Sequence, residues 1–145
     1  MLDNVAPKKY VLFLCTGNYY RSRFAEIYFN HKAKNTNWVA FSRGLNLDSR
    51  NYGEISSIAV RELSKLGISV GKQLHPQKAE SEDLKKADII VGLNEDEHKE
   101  IIEKKFSEFK EKVIYWNIAD IFEQDSSSEV PKIIHNIDSL IAQLK

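Results

Sequence analysis

The chain has 145 residues and a single cysteine, Cys15, so it cannot close an internal disulfide. Neither sign of charge is in excess: 21 lysines and arginines stand against 21 aspartates and glutamates. A chain without a global field offers nothing general to nucleic acid or to an acidic membrane surface, and any anion site must be local. Long apolar runs, a leader-like N-terminus, internal repeats and low-complexity tracts are also missing, which points to a soluble, cytoplasmic protein that neither crosses nor coats a membrane. The length suits one domain over residues 1–145, large enough to bury a core without disulfide or metal.

What is present is concentrated in Val11-Leu12-Phe13-Leu14-Cys15-Thr16-Gly17-Asn18-Tyr19-Tyr20-Arg21-Ser22. Four apolar residues predict a short buried strand with Cys15 at its carboxyl end, the edge at which open α/β sheets bind ligands. Gly17 permits a sharp turn and Asn18 tolerates left-handed dihedrals, so the loop can curl with its N–H groups inward, a nest for an anion. Thr16, Tyr19 and Tyr20 complete that loop. Arg21 adds a planar fork matched to two oxygens of a tetrahedral oxyanion, and Ser22 opens a helix whose positive end faces the same point. These fields all favour thiolate over thiol, so Cys15 is expected to be a nucleophile at neutral pH.

Helical spacing of Phe24, Ile27, Tyr28 and His31 predicts an amphipathic helix from Ser22 to about Lys34, and Trp38 to Ser42 reads as a second strand. A stripe of Ile55, Ile58, Ala59, Leu63 and Leu66 ending at Gly67 is a second helix. Ser81-Glu82-Asp83-Leu84 opens a short third helix, and Ala87 to Leu93 is a buried strand. Asn94 and Glu97 are spaced as a capping box for a helix carrying Ile101, Ile102 and Phe106 inward. Val113 to Trp116 is the last strand. Pro131 suits the first turn of a final helix striped by Ile133, Ile134, Ile137, Leu140, Ile141 and Leu144. Strands separated by helices argue for an α/β fold with a parallel sheet and helices on both faces.

The Cys-x5-Arg-Ser loop after an apolar strand resembles the low-molecular-weight protein tyrosine phosphatases and the related thioredoxin-coupled arsenate reductases; Cys-Thr-Gly-Asn is similar to the reductase branch in particular. The resemblance covers nearly the whole chain and implies a three-layer, flavodoxin-like sandwich with a four-stranded parallel sheet of order 2-1-3-4. It implies that Ser42, in Ser42-Arg43-Gly44, braces the anion loop, and that His75, in Leu74-His75-Pro76, belongs to a supporting segment. It also implies an acid after the last strand. Where family members carry Asp-Pro, this chain has Asp120-Ile121, with Asp125 as the second choice. The family's second loop cysteine and the proline after Arg-Ser are here Tyr20 and Arg23, and Arg23 is expected to influence substrate affinity at most.

Three functions follow from these residues. The first is a phosphatase without cofactor or metal: Cys15 attacks phosphorus in a phosphorylated protein or small aryl phosphate, Arg21 and the loop hold the equatorial oxygens, Asp120 protonates the leaving group, and phosphate is the product. The second is arsenate reduction with an external thiol, since no second cysteine is available. The third is a non-catalytic phosphate-binding relative.

Overall fold

The computed structural model describes residues 7–47, 53, 55–73, 75–119 and 126–144, with backbone alone at 126–127. The elements are β1 (Lys9–Cys15), α1 (Arg21–Lys32), β2 (Trp38–Gly44), α2 (Ser57–Lys65), α3 (Ser81–Lys86), β3 (Ile89–Gly92), α4 (Glu95–Lys105), β4 (Val113–Tyr115) and α5 (Ser126–Gln143), with a 3₁₀ turn at Ser107–Phe109. The four strands pair in parallel in the order β2-β1-β3-β4, so the order implied by the family resemblance holds.

β1 is central, which is why its sequence is apolar on both faces and does not alternate. Parity divides its side chains between two cores. Val11, Phe13 and Cys15 join Phe24 and Phe29 of α1, Leu63 of α2 and Ile133 and Ile137 of α5. Leu12 and Leu14 join Leu84 of α3, Ile90 of β3 and Ile102 of α4 on the opposite face. Cys15 therefore shares the face of α1, and the chain leaving the strand turns directly toward the start of that helix. Among the described residues no helix is long and apolar enough to cross a membrane.

Helix α1 is more deeply buried than its apolar stripe suggests. Arg21, Ser22 and Arg23 are inside along with Phe24, Ala25, Tyr28 and Phe29, whereas His31, which the spacing places in the inward stripe, is exposed. Asn30 on α1 serves the edge strand β2: its amide donates to the carbonyl of Ala40 (3.0 Å) and accepts from Ala40 N–H (2.8 Å), satisfying backbone groups that no further strand pairs among the described residues. Helix α5 begins at Ser126, so Pro131 lies inside it and not in its first turn. The missing Pro131 N–H removes one early hydrogen bond, and buried Glu129 holds the added turn by accepting Ala119 N–H (2.8 Å).

Tyr28 joins α1 to α5 by donating to Asp138 (2.8 Å). Burial first, then the hydrogen bond to Asp138 and its negative charge, push the phenol up from 10 to about 12. A raised pKa in the folded state means that this contribution to stability is complete below the unfolded value and is lost as pH rises from 10 to about 12. In urea titrations the stability difference between the protein and Tyr28→Phe should shrink across that window; a constant difference would contradict this role.

Candidate active site

The loop between β1 and α1 is built around Asn18, the one non-glycine residue with positive φ (52°) among the described residues. The left-handed position in the loop is thus Asn18, not Gly17. Asn18 is 1% exposed, and its side chain is fully committed. Its amide nitrogen donates to Ser22 Oγ and to Ser42 Oγ, both at 2.9 Å, and its amide oxygen accepts from Gln77 N–H (2.8 Å). Because both hydroxyl oxygens accept from Asn18, their own protons are directed onward. Ser42 donates to the partly buried Glu26, whose carboxyl is raised above the ordinary range chiefly by burial. Ser22 Oγ stands 2.9 Å from Cys15 Sγ, where its hydroxyl can donate to a thiolate.

Gly44, the β2 partner of Cys15, lets β2 come against this loop: a Cβ there would lie 2.8 Å from the Thr16 carbonyl and 3.1 Å from Asn18 Cβ. The N–H groups of Leu45 and Asn46 then donate to the carbonyls of Cys15 and Thr16, both at 2.9 Å. The start of the loop is consequently held from β2 as well as from α1.

Arg21 opens α1 and is 2% exposed. Nη1 donates to Glu97 Oε2 (3.0 Å) and to the Ile118 carbonyl (2.9 Å), and Nη2 donates to Glu97 Oε1 (2.7 Å). Thr16 Oγ1 donates to the same Oε1 (2.7 Å). Hydrogen bonding from His98 foremost, then from Arg21 and Thr16, holds the Glu97 carboxyl well below the usual carboxylate range despite its partial burial. This partnership replaces half of the expected capping box. Asn94 Oδ1 does accept Glu97 N–H (3.0 Å), but the Glu97 carboxylate turns to Arg21, and Asn94 N–H donates instead to His98 Nδ1 (3.2 Å).

Arg23 also differs from its sequence expectation. It is 4% exposed, and its Nε donates to the Asn18 carbonyl (3.3 Å), so it is a buried brace under the loop and not a peripheral residue. Thr16, Gly17 and Tyr19 are partly exposed, whereas Tyr20 is buried. His75 is exposed and gives no hydrogen bond to the Asn18 network among the described residues; its segment reaches that network through the backbone of Gln77. Asp120, Asp125 and Ile121 lie outside the described residues. The two residues before Asp120 are nonetheless anchored: the Ile118 carbonyl accepts from Arg21 and from Asn94 Nδ2 (3.1 Å), and Ala119 N–H donates to Glu129.

A buried thiol ending the central strand, a loop turned at a left-handed asparagine, and an arginine opening the next helix define an α/β domain with a cysteine-containing loop at the carboxyl edge of its sheet. The chain belongs to the low molecular weight phosphotyrosine protein phosphatase family, whose model matches residues 10–145. It is similar to a low molecular weight protein tyrosine phosphatase from T. tengcongensis, with 29% identity, a TM-score of 0.82, and coverage of 94% of this chain and 100% of the other. The YwlE arginine phosphatase from Geobacillus stearothermophilus has the same fold, at 23% identity and a TM-score of 0.81, with 94% of this chain and 92% of that chain covered. Over 86 residues the chain is 37% identical to an arsenate reductase of Brevibacillus brevis; the match spans 59% of this chain and 59% of the length of that relative.

Proposed function

We propose that this protein is a cysteine-dependent phosphomonoester hydrolase acting on phosphorylated protein or on small aryl phosphates. The single observation that carries the reading is the meeting of Cys15 Sγ and Ser22 Oγ at 2.9 Å, in a loop closed by the buried Arg21. The Cys15 thiolate attacks phosphorus, forming the S–P bond as the ester P–O bond breaks. The loop N–H groups and Arg21 carry the charge of the equatorial oxygens, and Asp120 gives its proton to the departing oxygen. Water, deprotonated by Asp120, then attacks phosphorus, the S–P bond breaks, and phosphate leaves with Cys15 again a thiolate. The anchoring of Ile118 and Ala119 beside the loop supports this role for Asp120. Ser42 stiffens the loop through Asn18. Nothing in the cycle calls for a metal or cofactor.

Similarity to the arsenate reductase favours a second reading in which arsenate occupies the same loop. With one cysteine in the sequence, reduction would require thiols from outside the chain. Turnover of a chromogenic aryl phosphate and of arsenate with small thiols, measured side by side, separates the two. Phosphate release without added thiol is expected; thiol-dependent arsenite formation with an inert aryl phosphate would favour the second reading.

The acid is tested by leaving-group dependence. Asp120→Asn should slow hydrolysis of esters with basic leaving groups by about 10²-fold or more, and nitrophenyl-type esters less, because their anions depart without a proton. Asp125→Asn should show no such selectivity. The reverse pattern, or a uniform loss with Asp120→Asn, would take the acid role away from Asp120.

A further inference from the structure

Four polar groups from three elements converge beside the anion loop in an arrangement that helix capping does not require. Asn94 N–H points at His98 Nδ1, so that nitrogen carries a lone pair and the ring proton is assigned to Nε2. Nε2 faces Thr16 Oγ1 at 3.0 Å. Thr16, accepting there, has its own proton for Glu97 Oε1. Glu97 is the terminal acceptor of this relay: Oε1 receives Thr16 and Arg21 Nη2 and lies 3.4 Å from His98 Nε2 as well, and Oε2 receives Arg21 Nη1. His98 is completely buried, which fixes the relay from behind.

We propose that Glu97 is a positioning residue that sets the plane of the Arg21 guanidinium for phosphate, and that Thr16 and His98, which both face Glu97 Oε1, keep Glu97 in the orientation needed for that grip. The inference rests on the phosphatase reading of the same loop. Two bonds to the ends of the fork fix the guanidinium plane in a way that one contact cannot. The third, from Nη1 to the Ile118 carbonyl, ties the same plane to the exit of β4, two residues before Asp120. A carboxylate beside an anion site also has an opposing effect, since its charge repels phosphate. Glu97 therefore favours phosphate only through Arg21, and without a fork to orient only the repulsion remains.

That opposition gives a test that a simple structural role would not pass. Phosphate affinity is read as the slowing of iodoacetate alkylation of Cys15 by inorganic phosphate, alongside kcat and KM for an aryl phosphate, in the unsubstituted protein, Glu97→Gln, Arg21→Lys and the double variant. With Arg21 in place, Glu97→Gln should weaken phosphate about tenfold and lower kcat. In the Arg21→Lys protein, the same change should leave phosphate binding unchanged or tighten it. Thr16→Val, which interrupts the relay, should weaken phosphate several-fold with Glu97 in place and not in the Glu97→Gln protein. Glu97→Asp keeps the charge but falls one methylene short of the fork, and should repeat the background-dependent loss if Glu97→Gln does not fold. Equal losses with Arg21 in place and in the Arg21→Lys protein, or no loss in either, would overturn the positioning role. A Thr16→Val loss that persists in the Glu97→Gln protein would remove Thr16 from it. If phosphate does not slow alkylation even in the unsubstituted protein, the phosphatase reading itself is overturned.

Discussion

Cys15→Ser should abolish turnover of aryl phosphates while leaving phosphate and vanadate binding in place. A serine hydroxyl stays protonated near neutral pH and is a poor nucleophile without a neighbouring base, whereas a thiolate attacks directly. No such base faces position 15 among the described contacts: the sulfur meets the Ser22 hydroxyl, which can donate to an anion but is no base for removing a proton. The rest of the loop does not depend on sulfur. Asn18 keeps its bonds to Ser22, Ser42 and Gln77, and Arg21 keeps those to Glu97 and Ile118. Calorimetric titration with phosphate, beside a turnover assay, checks both halves. Retained turnover would discard the covalent mechanism, and lost binding would show that the sulfur holds the loop together.

Arg21→Lys is the second large expected loss, about 10²-fold or more in kcat/KM for an aryl phosphate, despite the unchanged formal charge. One guanidinium serves both oxygens of Glu97 and the Ile118 carbonyl at distances of 2.7 to 3.0 Å. An ammonium has three donors at one point and cannot span two carboxylate oxygens, a carbonyl and the equatorial oxygens of phosphate together. Glu97 would also be left incompletely compensated, with its charge beside the anion. Activity within a few-fold of the unsubstituted protein would place Arg21 outside the chemistry.

The parts of this architecture that can be read from sequence are those fixed by short-range pattern. The apolar run before Cys15, the helical stripes and the Asn18 turn each depend on neighbours a few residues away, and the strand order follows from family resemblance. Contacts of long sequence separation escape such a reading because a local explanation is available for each residue. Glu97 sits three residues after Asn94, where an acidic side chain ordinarily closes a capping box, so its bond to Arg21, 76 residues away, is not visible. Three acidic residues crowding the first turn of α4, just after the carboxyl end of β3, are the available signal, since β3 lies beside β1 and its loop must face the Cys15 loop. Arg23 looks peripheral because a charged residue next to an active-site arginine is usually solvated; its burial depends on Asn18 presenting a carbonyl inward, which follows from the left-handed turn. His98 carries no pattern of its own, as its role exists only once α4 docks against Thr16.

The covalent intermediate offers the most direct test. Protein quenched in acid during turnover of an aryl phosphate, then digested and examined by mass spectrometry, should carry a phosphoryl group on the peptide containing Cys15. That group should build up further in Asp120→Asn with a nitrophenyl-type ester, because attack of water on the intermediate loses its base while formation needs no acid. Steady turnover with no phosphoryl group on Cys15 in either protein, or with the group on another residue, would contradict a mechanism through this cysteine.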